Sequence, residues 1–199
     1  RHMRRDVYGL RAEERTLLLA RDRRFGVAER TAFDGRLLTP LDESEARALA
    51  GRIVTLGIKA VAVCLLHAYA NGAHERRLRE ILLAADPTMD VSLSSEISPE
   101  LREYERLSTT VLNALLMPVV RGYMAQLEAR LRAHAMPARV LVVQSNGGVC
   151  SARKAGEQPV RLILSGPSGG AMAVQQLSGR LGMPNLVGID MGGTSFDVV

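Results

Sequence analysis

The sequence contains no tryptophan, and aromatic residues make up only 4% of its 199 positions. Aliphatic side chains must therefore fill the core. No basic stripe interleaved with aromatics occurs, so nucleic-acid binding is not expected. Only two cysteines are present, Cys64 and Cys150, which excludes a disulfide framework. Cys64 lies in the apolar run Val61-Ala-Val-Cys-Leu-Leu66, where a reduced, buried thiol is expected, and a cytoplasmic location follows. No apolar run approaches the ~18 residues that cross a bilayer, and no signal peptide is visible, so no membrane association is expected. Walker-A spacing, Cys-x-x-Cys pairs, internal repeats and low-complexity segments are all missing.

What is present suits a globular α/β protein, with 47% apolar and 24% charged residues. The net charge is +5, yet 26 basic residues are mixed with 21 acidic ones. Runs such as Arg11-Ala-Glu-Glu-Arg15 and His74-Glu-Arg-Arg-Leu-Arg-Glu80 are expected to be solvated helix faces. The length allows one full α/β domain or two partial ones. Arg1-His2-Met3 resembles the remnant of an expression tag, so a deliberately cut piece of a longer protein is expected.

Turn signals and periodicity divide the chain. Residues 6–41 are expected to be extended, with a hairpin formed by Val27–Phe33 and Arg36–Leu38 around an Asp34-Gly35 turn. Asp42 can cap a helix through Leu56, with Glu45 completing a capping box and Gly57 ending it. Ile58–Leu66 has the continuous apolar character of a strand buried on both faces. A helix over Ala73–Ala85 and a short strand over Met89–Leu93 follow. Strands joined by helical crossovers predict one open sheet with parallel pairing and packed helices. Pro99–His134 carries a long helical repeat that Pro118 should kink or divide. Arg139–Gln144 and Leu162–Leu164 read as strands, Ser165 to about Leu181 as a helix, and Leu186–Ile189 and Phe196–Val199 as strands.

The last turn, Asp190-Met-Gly-Gly-Thr-Ser195, is the sharpest motif. Glycines let backbone N–H groups approach a polyphosphate, Thr194 and Ser195 add hydroxyls, and Asp190 or Asp197 could hold the hydration shell of Mg²⁺. A plain hairpin closed by Gly192 and Gly193 is the alternative. His67, at the end of a buried strand, and His74-Glu75, opening the next helix, could bind a divalent metal or a substrate. Equally, His67 could bond its loop while His74 sits exposed. Arg102, Glu103, Glu105 and Arg106 suggest an exposed ion-pair cluster, whereas Ser108, Thr109, Thr110 and Asn113 on an otherwise apolar helix suggest an internal polar contact. Ser145-Asn146-Gly147-Gly148 could offer backbone donors or be a simple turn. Gly166-Pro-Ser-Gly-Gly170 has the G-x-S-x-G form. No histidine follows Ser168, so a helix N-terminus open to an anion, or glycines for tight packing, explains it better than a nucleophile elbow.

The Asp190 loop resembles the second phosphate loop of the actin/sugar-kinase/heat-shock-chaperone ATPase superfamily. Further strings are similar, in order, to the hydantoinase A/5-oxoprolinase family. They are Glu29–Arg36, Leu65–Glu75, Ser95–Glu100, Arg102–Asn113, Gln144–Gly148 and Ser165–Pro167, and together they span nearly the whole chain. The resemblance implies a partial ribonuclease-H-like, actin-like ATPase fold: a mixed sheet with packed helices plus a long helical segment. Residues 4–96 would be the C-terminal part of the family's N-terminal domain, and 97–199 the N-terminal part of its A domain.

The activity implied is ATP-dependent opening of a five-membered cyclic amide, 5-oxoproline or a hydantoin, through phosphorylation of the amide oxygen. Asp190 and Asp197 would be catalytic, with Asp190 reaching the metal through water. Gly192, Gly193, Thr194 and Ser195 would bind the nucleotide, and His67, His74, Glu75, Asn146, Gly147 and Ser165 would be substrate or metal candidates. The implied cofactors are ATP and Mg²⁺, with room for a second divalent metal. The implied partners are the cyclic amide, a hydantoinase B-type subunit or domain, and an oligomer. An acetone/acetophenone-type carboxylase subunit and a non-enzymatic nucleotide-binding module are the alternatives. The family's first phosphate loop and adenosine segment have no counterpart in these residues, so no turnover is expected from them alone. Phe196 stands where the family more often has a small hydroxyl residue.

Overall fold

Hydrogen-bonding side chains at element ends determine how the first half assembles. The computed structural model describes residues 18–136 and 139–199. The tag-like opening, the part of the expected extended segment before Leu18 and the Arg11–Arg15 charge run lie outside those residues. Strands β1 (Arg30–Thr31) and β2 (Leu37–Thr39) pair antiparallel around Gly35, whose φ of +85° suits a residue without Cβ. Helix α1 (Glu43–Thr55) begins at Asp42, whose carboxylate accepts from Ser44 N and Glu45 N at 3.0 Å each. Glu45 does not complete the expected capping box. Its carboxylate accepts from Ala28 N at 2.8 Å, and Asp42 N donates to Ala28 O at 3.0 Å. The pair fastens the segment entering the hairpin to the helix start.

Strands β3 (Ala60–Val63) and β4 (Asp90–Leu93) pair in parallel, with Ala60 opposite Asp90 and Val63 opposite Leu93. Helix α2 (Ala73–Ala85) is the crossover between them. Ala46, Ala50 and Ile53 on one stripe of α1 meet Leu78, Ile81 and Leu82 of α2 and Val63, Met89 and Leu93 in a single apolar core. At about 25 cal/mol per Å² of apolar area, that core is the main stabilising term of this half. The strand is shorter than Ile58–Leu66 and only Val63 is fully buried. Cys64 is half-buried, because the chain leaves the ladder there to turn toward α2.

A one-turn helix α3 (Ser94–Ile97) follows β4 and leads to α4 (Glu103–Ala133), which passes through Pro118 as one helix. Proline removes one helical donor. Here Ala114 and Met117, in the turn before Pro118, are buried against the rest of the fold, and Arg121, beyond it, lies against Gly156 and pairs with Asp90. Arg106 is also buried, so the expected solvated cluster at this helix start fails at that residue.

The second half is built of two hairpins and two helices. Strands β5 (Leu141–Val143) and β6 (Val149–Ser151) pair antiparallel, and helix α5 (Ala152–Glu157) follows. The strand expected at Leu162–Leu164 is absent. A 3-10 turn spans Pro159–Leu162, and Leu164 adopts φ +64° before helix α6 (Ser165–Leu181). The carbonyls of Arg161 and Ile163 accept from Ser145 rather than from a strand. Strands β7 (Ile189–Met191) and β8 (Phe196–Val198) close the described chain.

The single open sheet expected from the sequence is therefore corrected to four separate two-stranded ladders among the described residues. Helix α6 explains part of this separation. Gly169 and Met172 on one of its faces lie against Val143 and Gly147, whereas Pro167, Gly170 and Val174 on the other line a cleft with β7 and β8. A helix placed between two hairpins keeps their edges apart. None of the described helices is long and apolar enough to cross a membrane.

Candidate functional site

Register places the two acidic candidates together. Asp190 on β7 lies directly opposite Asp197 on β8, so both carboxylates leave the same face of the ladder. That face borders an open cleft of about 220 Å³ lined by Pro167, Gly170, Val174, Gly188, Asp190 and Asp197. No Lys, Arg or His among the described residues forms an ion pair with either aspartate. Two like charges set opposite each other destabilise a ladder, and the hairpin carries this conflict without a basic side chain to relieve it.

The tip of the hairpin spans Gly192–Ser195, where Gly192 N donates to Ser195 O at 3.0 Å. Neither Gly192 nor Gly193 has a positive φ, and a Cβ on Gly193 would meet nothing within 4 Å. Type I′ and II′ hairpins need positive φ at their glycines, so turn geometry does not demand glycine here. Thr194 and Ser195 are exposed beside them.

The other loop candidates gather on the opposite face of α6. Asn146 Oδ1 accepts from Gly148 N at 2.9 Å, and Gly147 takes φ +79°. A Cβ on Gly147 would come within 2.9 Å of the Met172 side chain. Ser168 Oγ donates to Ser145 O at 2.7 Å, and Ser165, half-buried, opens the helix. The turn at 145–148 and the start of α6 are thus one unit, and Ser168 serves as a bridge between backbones.

His67, His74 and Glu75 sit elsewhere, at the C-terminal end of β3. His67, at φ +58°, donates from Nδ1 to Thr31 O at 2.9 Å. His74 is buried, not the exposed helix-start residue expected, and its Nδ1 donates to Glu29 Oε2 at 2.8 Å. Glu75 is 0% exposed and accepts from Leu65 N, Ser94 Oγ and Ser95 N. No group of three or more His, Cys, Asp or Glu side chains suited to a metal ion occurs among the described residues. The polar atoms of this trio bind the β1–β2 hairpin, β3 and α3 together.

Arg106 is the residue that sequence reasoning missed. It is 1% exposed, donates to Leu65 O at 2.7 Å and Glu100 O at 3.1 Å, and lies over the Tyr69 ring. The expected internal polar contact holds at Asn113, whereas the hydroxyls of Ser108, Thr109 and Thr110 donate to carbonyls four residues back on their own helix. Thr110 and Asn113 are fully buried, and Asn113 joins Ser92 Oγ, Glu157 O and Val160 N. The available signal was the polar spacing Arg106, Thr110, Asn113 at steps of four and three, one face of a helix.

Comparison with known proteins places these features. The sequence profile of the hydantoinase/oxoprolinase N-terminal region matches residues 1–85, and that of hydantoinase/oxoprolinase matches residues 106–199. The caprolactamase subunit alpha of Pseudomonas jessenii is 34% identical over 182 residues, covering 92% of this chain and 26% of its own length. A crystal structure of the ATP-dependent caprolactamase from that organism superposes with a TM-score of 0.83 at 32% identity, over 96% of this chain and 28% of that one. The 5-oxoprolinase of Saccharomyces cerevisiae is 35% identical over 165 residues, covering 82% of this chain and 12% of its own. The nucleotide-free structure of an acetone carboxylase with an ATP-dependent mechanism gives a TM-score of 0.79 at 30% identity, over 94% of this chain and 27% of that one. The chain thus spans less than a third of the length of each of these relatives. On these matches the chain belongs to the hydantoinase/oxoprolinase family.

Proposed function

We propose that this chain supplies one wall of the nucleotide site of an ATP-dependent enzyme that opens a five-membered cyclic amide, of the 5-oxoproline or hydantoin kind. Transfer of the γ-phosphoryl group to the amide oxygen makes that oxygen a leaving group. Water then adds at the ring carbon and the C–N bond opens, the ring nitrogen leaving as the amine, to give an acyl phosphate that a second water hydrolyses to carboxylate and phosphate. Such transfer is catalysed mostly by positioning and charge neutralisation. The observation that carries the reading is the hairpin tip. Its glycines meet no steric demand of the turn, yet they leave the backbone open to close approach beside two carboxylates that have no basic partner among the described residues.

Asp190 and Asp197 fit a hard divalent cation, since Mg²⁺ keeps several waters and needs only one or two carboxylates. Such an ion would supply the positive charge that this face lacks. Thr194 and Ser195 would donate to phosphate oxygens, and Asn146, Gly147 and Ser165 would face the substrate side of α6. The ribonuclease-H-like reading, with a boundary near residue 96, belongs to the same proposal. So do an oligomer and a B-type partner, which is supported by the caprolactamase relative being a subunit.

Ketone carboxylation is the second reading, favoured by the acetone carboxylase superposition. The whole protein would be assayed for ATP cleavage dependent on 5-oxoproline or hydantoins, and separately on a ketone with bicarbonate. Asp190→Asn and Asp197→Asn should each lower kcat by on the order of 100-fold, as loss of one electrostatic contact to a transition state does. Undiminished turnover in the double variant would refute the site.

A further inference from the structure

Gly188 has no positive φ, so its backbone does not require glycine, yet it is closed in on two sides. Its N–H donates to Val199 O at 2.8 Å and its carbonyl accepts from Val199 N at 3.0 Å, so this position cannot move away from β8 without breaking both bonds. A Cβ built on Gly188 would overlap Val174 Cγ2 of α6 and stand 2.8 Å from Val199 Cγ2. Val174 is β-branched on a helix, where one χ1 rotamer dominates, so its methyl cannot readily swing aside. The contact is therefore a stop between α6 and the last hairpin.

Side chains two residues apart on a strand share a face. Gly188 and Asp190 thus look toward the same cleft, together with Asp197 across the ladder. We infer that Gly188, through its contact with Val174, sets the distance between the first turns of α6 and the Asp190–Asp197 pair, making it a positioning residue of the proposed phosphate site. The inference rests on that site reading. Adding a methyl group would push the strand outward by roughly 1 Å, a misplacement that can cost on the order of 100-fold in rate.

The test uses the whole protein with ATP and its accepted substrate. Gly188→Ala should lower kcat by on the order of 100-fold while KM for ATP stays within about threefold, the signature of an interaction lost in the transition state. Val174→Ala alone takes away the helix side of the stop and should lower kcat by a few-fold, well short of the Gly188→Ala loss. The double variant Gly188→Ala/Val174→Ala should recover part of the loss, because the closer of the two obstructing methyls is gone while that of Val199 remains. Val174→Phe crowds the same contact from the helix side and should reproduce the kcat loss, which keeps the test open if Gly188→Ala fails to fold.

A Gly188→Ala enzyme with unchanged kcat, a double variant no better than the single one, or a harmless Val174→Phe would each overturn the inference. Full turnover in Asp190→Asn/Asp197→Asn would instead sink the site reading. Loss in those variants beside an unaffected Gly188→Ala would sink the spacing inference alone.

Discussion

Replacing Glu75 with alanine should be among the most damaging single changes to folding, far from the candidate site. Glu75 is fully buried, and its carboxylate accepts from Leu65 N at 2.9 Å, Ser94 Oγ at 2.6 Å and Ser95 N at 2.8 Å. These partners lie on the segment leaving β3 and on α3, so one side chain of α2 joins three parts of the fold. The Ser94 hydroxyl can rotate toward another acceptor, but the two backbone N–H groups cannot. Each buried, orphaned donor costs about 1–3 kcal/mol, giving about 4 kcal/mol for the pair, near the loss seen on breaking a buried charged network. For a chain of this size, 1 kcal/mol shifts Tm by about 2–4 °C, so Glu75→Ala should lower Tm by about 8–16 °C. Glu75→Gln retains the Oε1 contacts but turns an amide donor toward Ser95 N, and about half that loss is expected. Equilibrium urea unfolding with parallel thermal melts would measure both. Glu80, whose side chain is 64% exposed in its pair with Arg77, is the control, and Glu80→Gln should cost under about 0.5 kcal/mol. A Glu75→Ala protein within about 1 kcal/mol of the parent would refute the reasoning.

Two further perturbations probe the packing of α4. Burial pushes the Asp90 carboxyl above its ordinary value, outweighing the attraction of Arg121, whose Nη1 lies 2.5 Å from Oδ1 but without hydrogen-bond alignment. A folded-state pKa above the unfolded one gives stability that is present at low pH and lost as pH rises through the folded value. Asp90→Asn should therefore gain stability relative to the parent as pH is raised from about 3 to 7, read from denaturant midpoints; a gap that narrows would contradict the burial argument. Asn113→Ala removes one side chain from Ser92 Oγ, Glu157 O and Val160 N. It should cost about 2–3 kcal/mol, with amide exchange rising first at Val160, and intact protection there would count against it.

Helix positions were legible because their ends carry local chemistry. Asp42 caps α1, Gly57 follows it at φ +68°, and Asp86-Pro87 stops α2. Pairing was legible within hairpins and across the α2 crossover, but the separation of the ladders and the short elements were not, because α3, β6 and α5 depend on distant contacts rather than on periodicity. Pro118 shows the same limit from the other side. Its local penalty predicts a kink or a division, and the helix runs on undivided, with Ala114 and Met117 buried before the proline and Arg121 paired with Asp90 after it. Buried charge was the least legible feature. His74, Glu75 and Arg106 sit in strings with the same composition as solvated helix faces, and only their partners across the fold distinguish them.

Glycine carries the same lesson into the candidate site. Gly147 is demanded by its own backbone, at φ +79°. Gly188 is demanded by a neighbour, the Val174 methyl that any Cβ would strike. Gly193 is demanded by neither, since its φ is not positive and its surroundings are open. The sequence reads Gly147 and Gly193 as turn glycines and Gly188 as part of a strand, and the structure separates what each position demands. An alanine at Gly193 would reduce the entropy that folding must overcome and would meet no obstacle within the described chain. On the proposed function, its glycine is explained by an approach from outside, and the carboxylates of Asp190 and Asp197 beside it, without a basic partner among the described residues, call for the charge that such a ligand would bring with it: a polyphosphate accompanied by a divalent cation.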